Sequence, residues 1–259
     1  MIARLEMKLS GEFLNDGICQ LSSLMQGIMM DYLEPDYAEY LHRQQLRPYN
    51  QYLCRRNGGV YWIIQTLEEQ AKHNIIDKFL DSNVTVLNST YKNKSVTISE
   101  KHLTQTDYDD LLKQYYIHGI FDTTGNRIFH IRFLTPTSFK QNGQYVIFPS
   151  VKLFFQSLMK KYDAFSNDHS CFDEEVLEHY EKYAFITKYD LKSTYFSLEG
   201  VKIPSFCGEI TIKINGPAAM VNLADMLLQY GSFSGIGIKT AIGMGAITVK
   251  EGKHWKTEN

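Results

Sequence analysis

The sequence predicts an α+β protein built as two tandem domains, each an antiparallel sheet with helices on one face. Three observations predict it. Over residues 2–98 the apolar period switches between two and 3.6 in the order β, α, β, β, α, β, which is the order of a ferredoxin-like (RRM-like) domain. Residues 210–249 again read as strand, helix and strand. A length of 259 residues suits one large domain or two of about 100–150 residues each. The expected division is 1–112 and 113–259.

The first strand comes from Ile2, Leu5, Met7 and Leu9, loosely alternating with polar residues. Asn15 and Asp16 offer side-chain oxygens to cap a helix. Ile18, Leu21, Met25, Ile28 and Tyr32 follow, a spacing that gives that helix one buried face. Pro35 is expected to end it, Asp36 to cap a short helix through Tyr40 and His42, and Pro48 to end that helix in turn. Strands are expected over Tyr49–Cys54 and Val60–Leu67, joined by the Asn57-Gly58-Gly59 turn. Helix follows over Glu68–Asp81, then strands over Val84–Leu87 and Ser95–Ile98.

The polar stretch Thr104–Gln114 is expected to carry the domain boundary. Beyond it, Ile117–Phe121 and Arg127–Leu134 flank a turn at Thr123–Asn126, and Pro149–Tyr162 has the helical spacing Val151, Phe154, Phe155, Leu158. Charged helix runs to about Tyr183, with strands from Ile186 onward. Ile210, Ile212 and Ile214 alternate as a strand. Gly216-Pro217 should open a helix, proline suiting a first helical position. Met220, Leu223, Leu227 and Leu228 would be its buried face and Gly231 its left-handed cap. Ile247 and Val249 alternate as a final strand.

Composition narrows the function classes. Apolar content of 44% and charge of 22% are ordinary for a folded soluble chain. No apolar run approaches the roughly 20 residues that cross a bilayer, and Glu6 and Lys8 interrupt the N-terminus where a signal peptide would stay apolar; a cytoplasmic address with no membrane partner is expected. Cys19, Cys54, Cys171 and Cys207 show no metal-ligand spacing, nor do the histidines, so no metal or cofactor is expected and the thiols should be reduced and mostly buried. A net charge of −2 with pI near 6.4 is not that of a general polyanion binder. Any nucleic-acid contact must use a local basic surface.

Residues 234–246, SGIGIKTAIGMGA, hold Gly235, Gly237, Gly243 and Gly245 around Lys239 and Thr240. Glycines allow exposed amides to face phosphate oxygens, and Lys239 and Thr240 would add a charge and a hydroxyl. A dinucleotide fingerprint opens a helix after a strand, whereas these glycines follow a helix and precede a strand. The plain alternative is a close-packed loop with no ligand.

The string YGSFSGIGIKTAIGMGAITV (230–249) resembles the C-terminal signature of the CRISPR repeat-processing endoribonucleases, the Cas-six family of the repeat-associated mysterious protein superfamily. LMQGIMMDYL and YAEYLHRQQLRPYNQYL (24–33, 37–53) are similar to that family's first helix, histidine segment and second strand, and FLTPTSF with LFFQSLMKKYD (133–139, 153–163) to the opening of its second domain. The resemblance implies two ferredoxin-like domains with CRISPR repeat RNA between them and against the glycine-rich loop. It implies metal-free cleavage to a 5′-hydroxyl and a 2′,3′-cyclic phosphate, and it raises a homodimer and a CRISPR effector complex as partners.

On that resemblance His42 stands on the family's catalytic segment, and histidine suits either proton transfer because an unperturbed imidazole titrates near 6.5. Arg47 stands roughly where the family often has a lysine. It could stabilise charge but not act as a base. Arg43, Arg55 and Arg56 complete the densest arginine group and are RNA-binding candidates; their plain reading is a solvated helix end and hairpin. Some relatives carry a tyrosine on the first helix where this chain has Met30, so Tyr32, Tyr37 or Tyr40 would have to substitute, although such aromatics are usually core. Tyr49 and Tyr52 could stack on bases or pack inward. Two alternatives stay open: a superfamily subunit that holds guide RNA without cutting it, and a ferredoxin-like module that never meets RNA.

Overall fold

The computed structural model describes residues 1–11, 14, 18–89, 94–117, 127–166 and 170–251. The Asn15/Asp16 cap and the turn at 123–126 lie outside the described residues, as do His118, His169 and His254.

Strand β1 (Ile2–Ser10) leads through α1 (Ile18–Tyr32) and α2 (Pro35–Arg43) to the hairpin of β2 (Tyr49–Arg56) and β3 (Gly59–Thr66). A helix over 69–80, α3, contains a wide turn at Lys72–Ile76 and precedes β4 (Val86–Ser89) and β5 (Lys94–Thr106). These strands form one antiparallel sheet in the order β2-β3-β1-β5-β4. A helix over 108–117, α4, leads towards β6 (Ile128–Thr137), the ribbon β7 (Phe139–Gln141) and β8 (Gln144–Val146), then α5 (Val151–Phe165) and α6 (Glu174–Tyr183). The long hairpin β9 (Ala184–Leu198) and β10 (Val201–Ile214), α7 (Ala218–Ser234) and β11 (Ile247–Glu251) complete the chain. The second sheet runs β11-β6-β10-β9. With β5 as the fourth strand of the first sheet and β4 as an added edge, both sheets share one strand order.

Each sheet buries one face beneath its helices. Ala3, Leu5 and Met7 of β1 pack with Met25, Ile28 and Met29 of α1 and with Ile75, Ile76 and Phe79 of α3. Phe129, Ile131, Ile210 and Ile212 pack with Phe154, Phe155 and Leu158 of α5 and with Ala224, Leu227 and Leu228 of α7. Complete burial of such side chains stabilises by about 1.5–3 kcal/mol each, so alternating strands and amphipathic helices hold this arrangement by their apolar faces.

Several expectations need correction. Pro35 starts α2 rather than ending α1, and Glu34 is its cap residue, with Asp36 inside the first turn. Proline's missing N–H costs nothing there. α2 stops at Arg43, before Pro48. β5 runs past the expected end at Ile98 to Thr106, pairing with β1 from Ser10↔Thr97 to Ile2↔Thr106, and Tyr108 opens a helix. Ile117 lies in that helix rather than opening a strand. Pro217 caps α7 from outside, and the buried face of α7 includes Val221, Ala224, Met226 and Tyr230, with Met220 and Leu223 only half-buried. Cys54, Cys171 and Cys207 are half-buried free thiols.

Candidate active site

The site begins at the C-terminal end of α7. The last carbonyls of a helix have no partner within it, and cationic donors suit that end of the dipole. The Ser232 carbonyl accepts from Arg4 Nη2 at 2.8 Å and Gln65 Nε2 at 2.7 Å, and the Phe233 carbonyl from Asn50 Nδ2 at 2.9 Å. All three donors belong to the first sheet. The Ser234 and Gly235 carbonyls accept from Lys161 Nζ of α5 at 3.0 and 3.1 Å. The cap residue is Gly235 with φ 63°, which corrects the expectation for Gly231. Gly231 lies within α7, where a Cβ would come within 2.8 Å of Leu158 Cδ2; its task is close helix packing.

The glycine-rich loop does not present its glycine amides to solvent. The Gly235 amide donates to the Gly231 carbonyl at 2.9 Å, that of Gly243 to Thr240 at 3.3 Å and that of Gly245 to Pro136 at 3.1 Å, and that of Gly237 to Ser157 Oγ at 2.9 Å. Amides already bonded inside the protein are not available to phosphates, so the expected role of these four amides is corrected. What the glycines provide is close approach: a Cβ at Gly243 (φ 109°) would lie 2.2 Å from Ser22 Cβ of α1. The loop therefore seats directly on the first helix, and Ile242 and Met244 pack against Phe196 and Ile203 of the long hairpin. Lys239 is left exposed with φ 56°, followed by a short turn over Thr240–Ile242.

One cavity of about 690 Å³ opens between these parts. His42, at the end of α2, and Arg47, in the segment that follows, form one side. Lys239, Thr240 and Gly237 of the loop form another. Met30 and Asp31 of α1 contribute a third, and Lys161 and Glu199 also reach it. α2 turns Tyr37 and Leu41 into the core and so leaves His42 exposed.

The remaining candidates lie apart. Arg43 pairs with Glu39 one helical turn away and does not line the cavity. Arg55 and Arg56 line a different cleft of about 910 Å³, between the two sheets, with Arg4 and Arg132. There Arg55 donates to the Leu14 carbonyl, and Arg56 pairs with Glu6 while lying 4.2 Å from the centre of the Tyr61 ring. The buried glycines Gly235, Gly243 and Gly245 support the cavity from behind.

Among the described residues no tyrosine stands in for Met30 at the cavity. Tyr32 donates to the Val86 carbonyl at 3.2 Å, and Tyr37 is buried, stacked on Tyr40, with its hydroxyl pushed well above the usual tyrosine range by burial and then by Glu68. Tyr49 and Tyr52 pack inward. Burial raises the Tyr49 hydroxyl while the neighbouring Arg47 charge works the other way. Among the described residues no group of three or more His, Cys, Asp or Glu gathers as a metal site.

Lys161 escaped the sequence reading, yet a signal was there. It continues the apolar stripe Phe154, Leu158 at helical spacing, where a charged residue is out of pattern. It is 6% exposed and also donates to Thr240 Oγ1 at 3.0 Å. Glu199 was legible as a turn residue only: with Gly200 it tips the β9–β10 hairpin at positive φ.

Residues 131–247 match the family model described as CRISPR-associated endoribonuclease Cas6. A curated Streptococcus thermophilus protein, CRISPR-associated endoribonuclease Cas6, is 33% identical over 234 residues, 90% of this chain and 93% of its own length. A Mycobacterium tuberculosis protein of the same description is 29% identical, over 90% of this chain and 73% of its own. Among solved structures, a Cas6 product complex superposes with a TM-score of 0.77 at 20% identity, covering 96% of this chain and all of the other. A Thermus thermophilus Cas6 does so at 0.68 and 19%, covering 96% and 98%. At such identities the structural likeness speaks for the fold.

Proposed function

The chain belongs to the CRISPR-associated endoribonucleases of the Cas6 family, and from that premise we propose that it cuts CRISPR precursor RNA within each repeat, without a metal ion. The observation that carries the reading is the shared cavity of His42, Arg47, Lys239 and Thr240, contributed by both halves of the chain. We read those halves as tandem ferredoxin-like domains, 1–112 and 113–259, on the strength of their common strand order.

The reaction needs a proton taken from a ribose 2′-hydroxyl, a new bond from that oxygen to phosphorus, and departure of the 5′-oxygen with a proton. The products are a 2′,3′-cyclic phosphate and a 5′-hydroxyl. His42 serves one of the two proton transfers. Arg47, always protonated, offers its planar guanidinium to the phosphate as negative charge builds on it, and Lys239 adds an exposed cation across the cavity. The cleft with Arg4, Arg55, Arg56 and Arg132 offers the RNA a further basic surface, as does Arg43, where those ion pairs yield to phosphate. The reading has the reaction take place in the cytoplasm and the product pass to a CRISPR effector complex. A homodimer is checked by sedimentation.

The test is cleavage of the host's repeat RNA in excess chelator. Wild type is expected to cut at one position, and His42→Ala to be slower by about 10²–10⁴-fold, the usual worth of a general acid or base. Equal rates would remove His42 from the mechanism, and cleavage abolished by chelator would remove the metal-free chemistry. A second reading, a guide-RNA carrier that does not cut, is favoured by Met30 standing at the cavity without a hydroxyl. Tight binding with intact RNA at every protein concentration is its signature.

A further inference from the structure

A buried ammonium needs three acceptors, and an ammonium cannot itself accept. Lys161 Nζ has three within 3.1 Å: the carbonyls of Ser234 and Gly235 and the hydroxyl of Thr240. All are neutral, and all belong to the helix end and loop that wall the cavity beside His42. In the Lys161–Thr240 bond the hydroxyl oxygen must therefore accept. Its own proton is donated to none of the described residues, and Thr240 and Lys161 both reach the cavity. A neutral amine or amide at this position would offer a lone pair and could draw the hydroxyl proton inward. A charged lysine forbids that orientation, and burial, which lowers the ammonium to about 7, confines this charged form to the acid side of neutrality.

We propose that Lys161 is a positioning residue that fixes the glycine-rich loop and aims the Thr240 hydroxyl proton into the cavity, where Thr240 donates to a non-bridging oxygen of the scissile phosphate. The ammonium polarises that hydroxyl by withdrawing density from its oxygen, so the donor strengthens as negative charge grows on the phosphate. Thr240 is then more than a phosphate clamp. Its contribution appears in the rate of the chemical step, and it depends on a side chain from another helix.

The inference rests on the cleavage reading, so wild type and His42→Ala are run beside the variants Thr240→Val, Thr240→Ser, Lys161→Met and the Lys161→Met, Thr240→Val pair. Single-turnover rates at saturating protein, RNA dissociation constants and thermal midpoints are measured for each at pH 6, where Lys161 keeps its proton. Thr240→Val is expected to slow cleavage about 10- to 100-fold, the range of one hydrogen bond to a charged group, with RNA affinity changed by less than about threefold. Thr240→Ser, which keeps the hydroxyl, should recover at least about a third of the rate. The double variant should be no more than about twofold slower than Lys161→Met alone, because the two residues act as one unit. Wild-type cleavage by Thr240→Val, or losses that multiply in the double variant, would overturn the inference while leaving the cleavage reading intact. If Lys161→Met melts below the assay temperature, the Thr240→Val and Thr240→Ser comparison decides alone. Wild type that binds RNA but leaves it uncut sinks both readings.

Discussion

A lysine with no carboxylate beside it is expensive to bury, and Lys161 sits among neutral acceptors at 6% exposure. Burial pushes its ammonium down to about 7, while an unfolded lysine titrates near 10.4. Below pH 7 both states hold the proton, and the folded chain bears the whole cost of the buried charge. Between about 7 and 10 the folded chain has released the proton and the unfolded chain still binds it, so stability rises with pH by up to about 1.4 kcal/mol per unit. Urea unfolding of wild type and Lys161→Met at pH 6, 7.5 and 9 should show the difference moving in favour of wild type as pH rises. A difference flat across that range would mean that the three acceptors hold the proton against burial. At this scale the sequence was only half legible. His42 is singled out by a resemblance to a family segment and lines the cavity, whereas Lys161 is legible only as a charge on an apolar stripe. The residues that meet it, Ser234 and Thr240, lie more than seventy positions along the chain, which no local pattern connects.

Among the elements, the glycine-rich loop separates two uses of the same residue. Gly58 and Gly243 both have positive φ, but a Cβ at Gly58 meets nothing within 4 Å, whereas one at Gly243 would lie 2.2 Å from Ser22 Cβ. Gly58→Ala should therefore cost only backbone strain, about 1–2 kcal/mol. Gly243→Ala should cost clearly more, because α1 and the loop must part, and should slow cleavage as His42 and Lys239 separate. Denaturant midpoints and single-turnover rates check both, and equal costs would show that the loop is not pressed onto α1. The existence of such elements was legible wherever periodicity was strong: β1, α1, α5 and α7 all stand close to where the pattern sets them, and β10 ends where its pattern does. The failures fall where a neighbour overrides a local rule. Gly231 looked like a helix cap and is instead a slot for Leu158. The second half of β5, beyond the expected strand end at Ile98, was not legible because, among the described residues, it pairs only with β1 there, from Glu100↔Lys8 to Thr106↔Ile2, and an edge strand tolerates polar side chains on its open face.

Across the whole molecule, the two sheets meet at the end of one helix. Arg4, Asn50 and Gln65 of the first sheet cap the final carbonyls of α7, and the Arg4 guanidinium also lies 4.5 Å from the centre of the Phe233 ring. These bonds satisfy groups that α7 cannot satisfy itself. His42, on the first half, and Lys239 and Thr240, just beyond α7, line one cavity. The halves should therefore unfold together. Trp62 is fully buried in the first core, so in a Trp255→Phe background, which removes the second tryptophan of the sequence, fluorescence reports that half, while far-ultraviolet circular dichroism reports both. In that background, otherwise wild type, the two signals should lose amplitude at the same urea concentration. In an Arg4→Ala, Gln65→Ala double variant, the Ser232 carbonyl loses both donors, each bond to a buried partner being worth about 1–3 kcal/mol. The transitions should then separate, and cleavage should fall although His42, Arg47 and Thr240 are untouched. Coincident transitions in that variant would mean that apolar contact between the halves suffices without the polar cap. A split already present in wild type would mean that the cavity is assembled only when RNA draws its walls together.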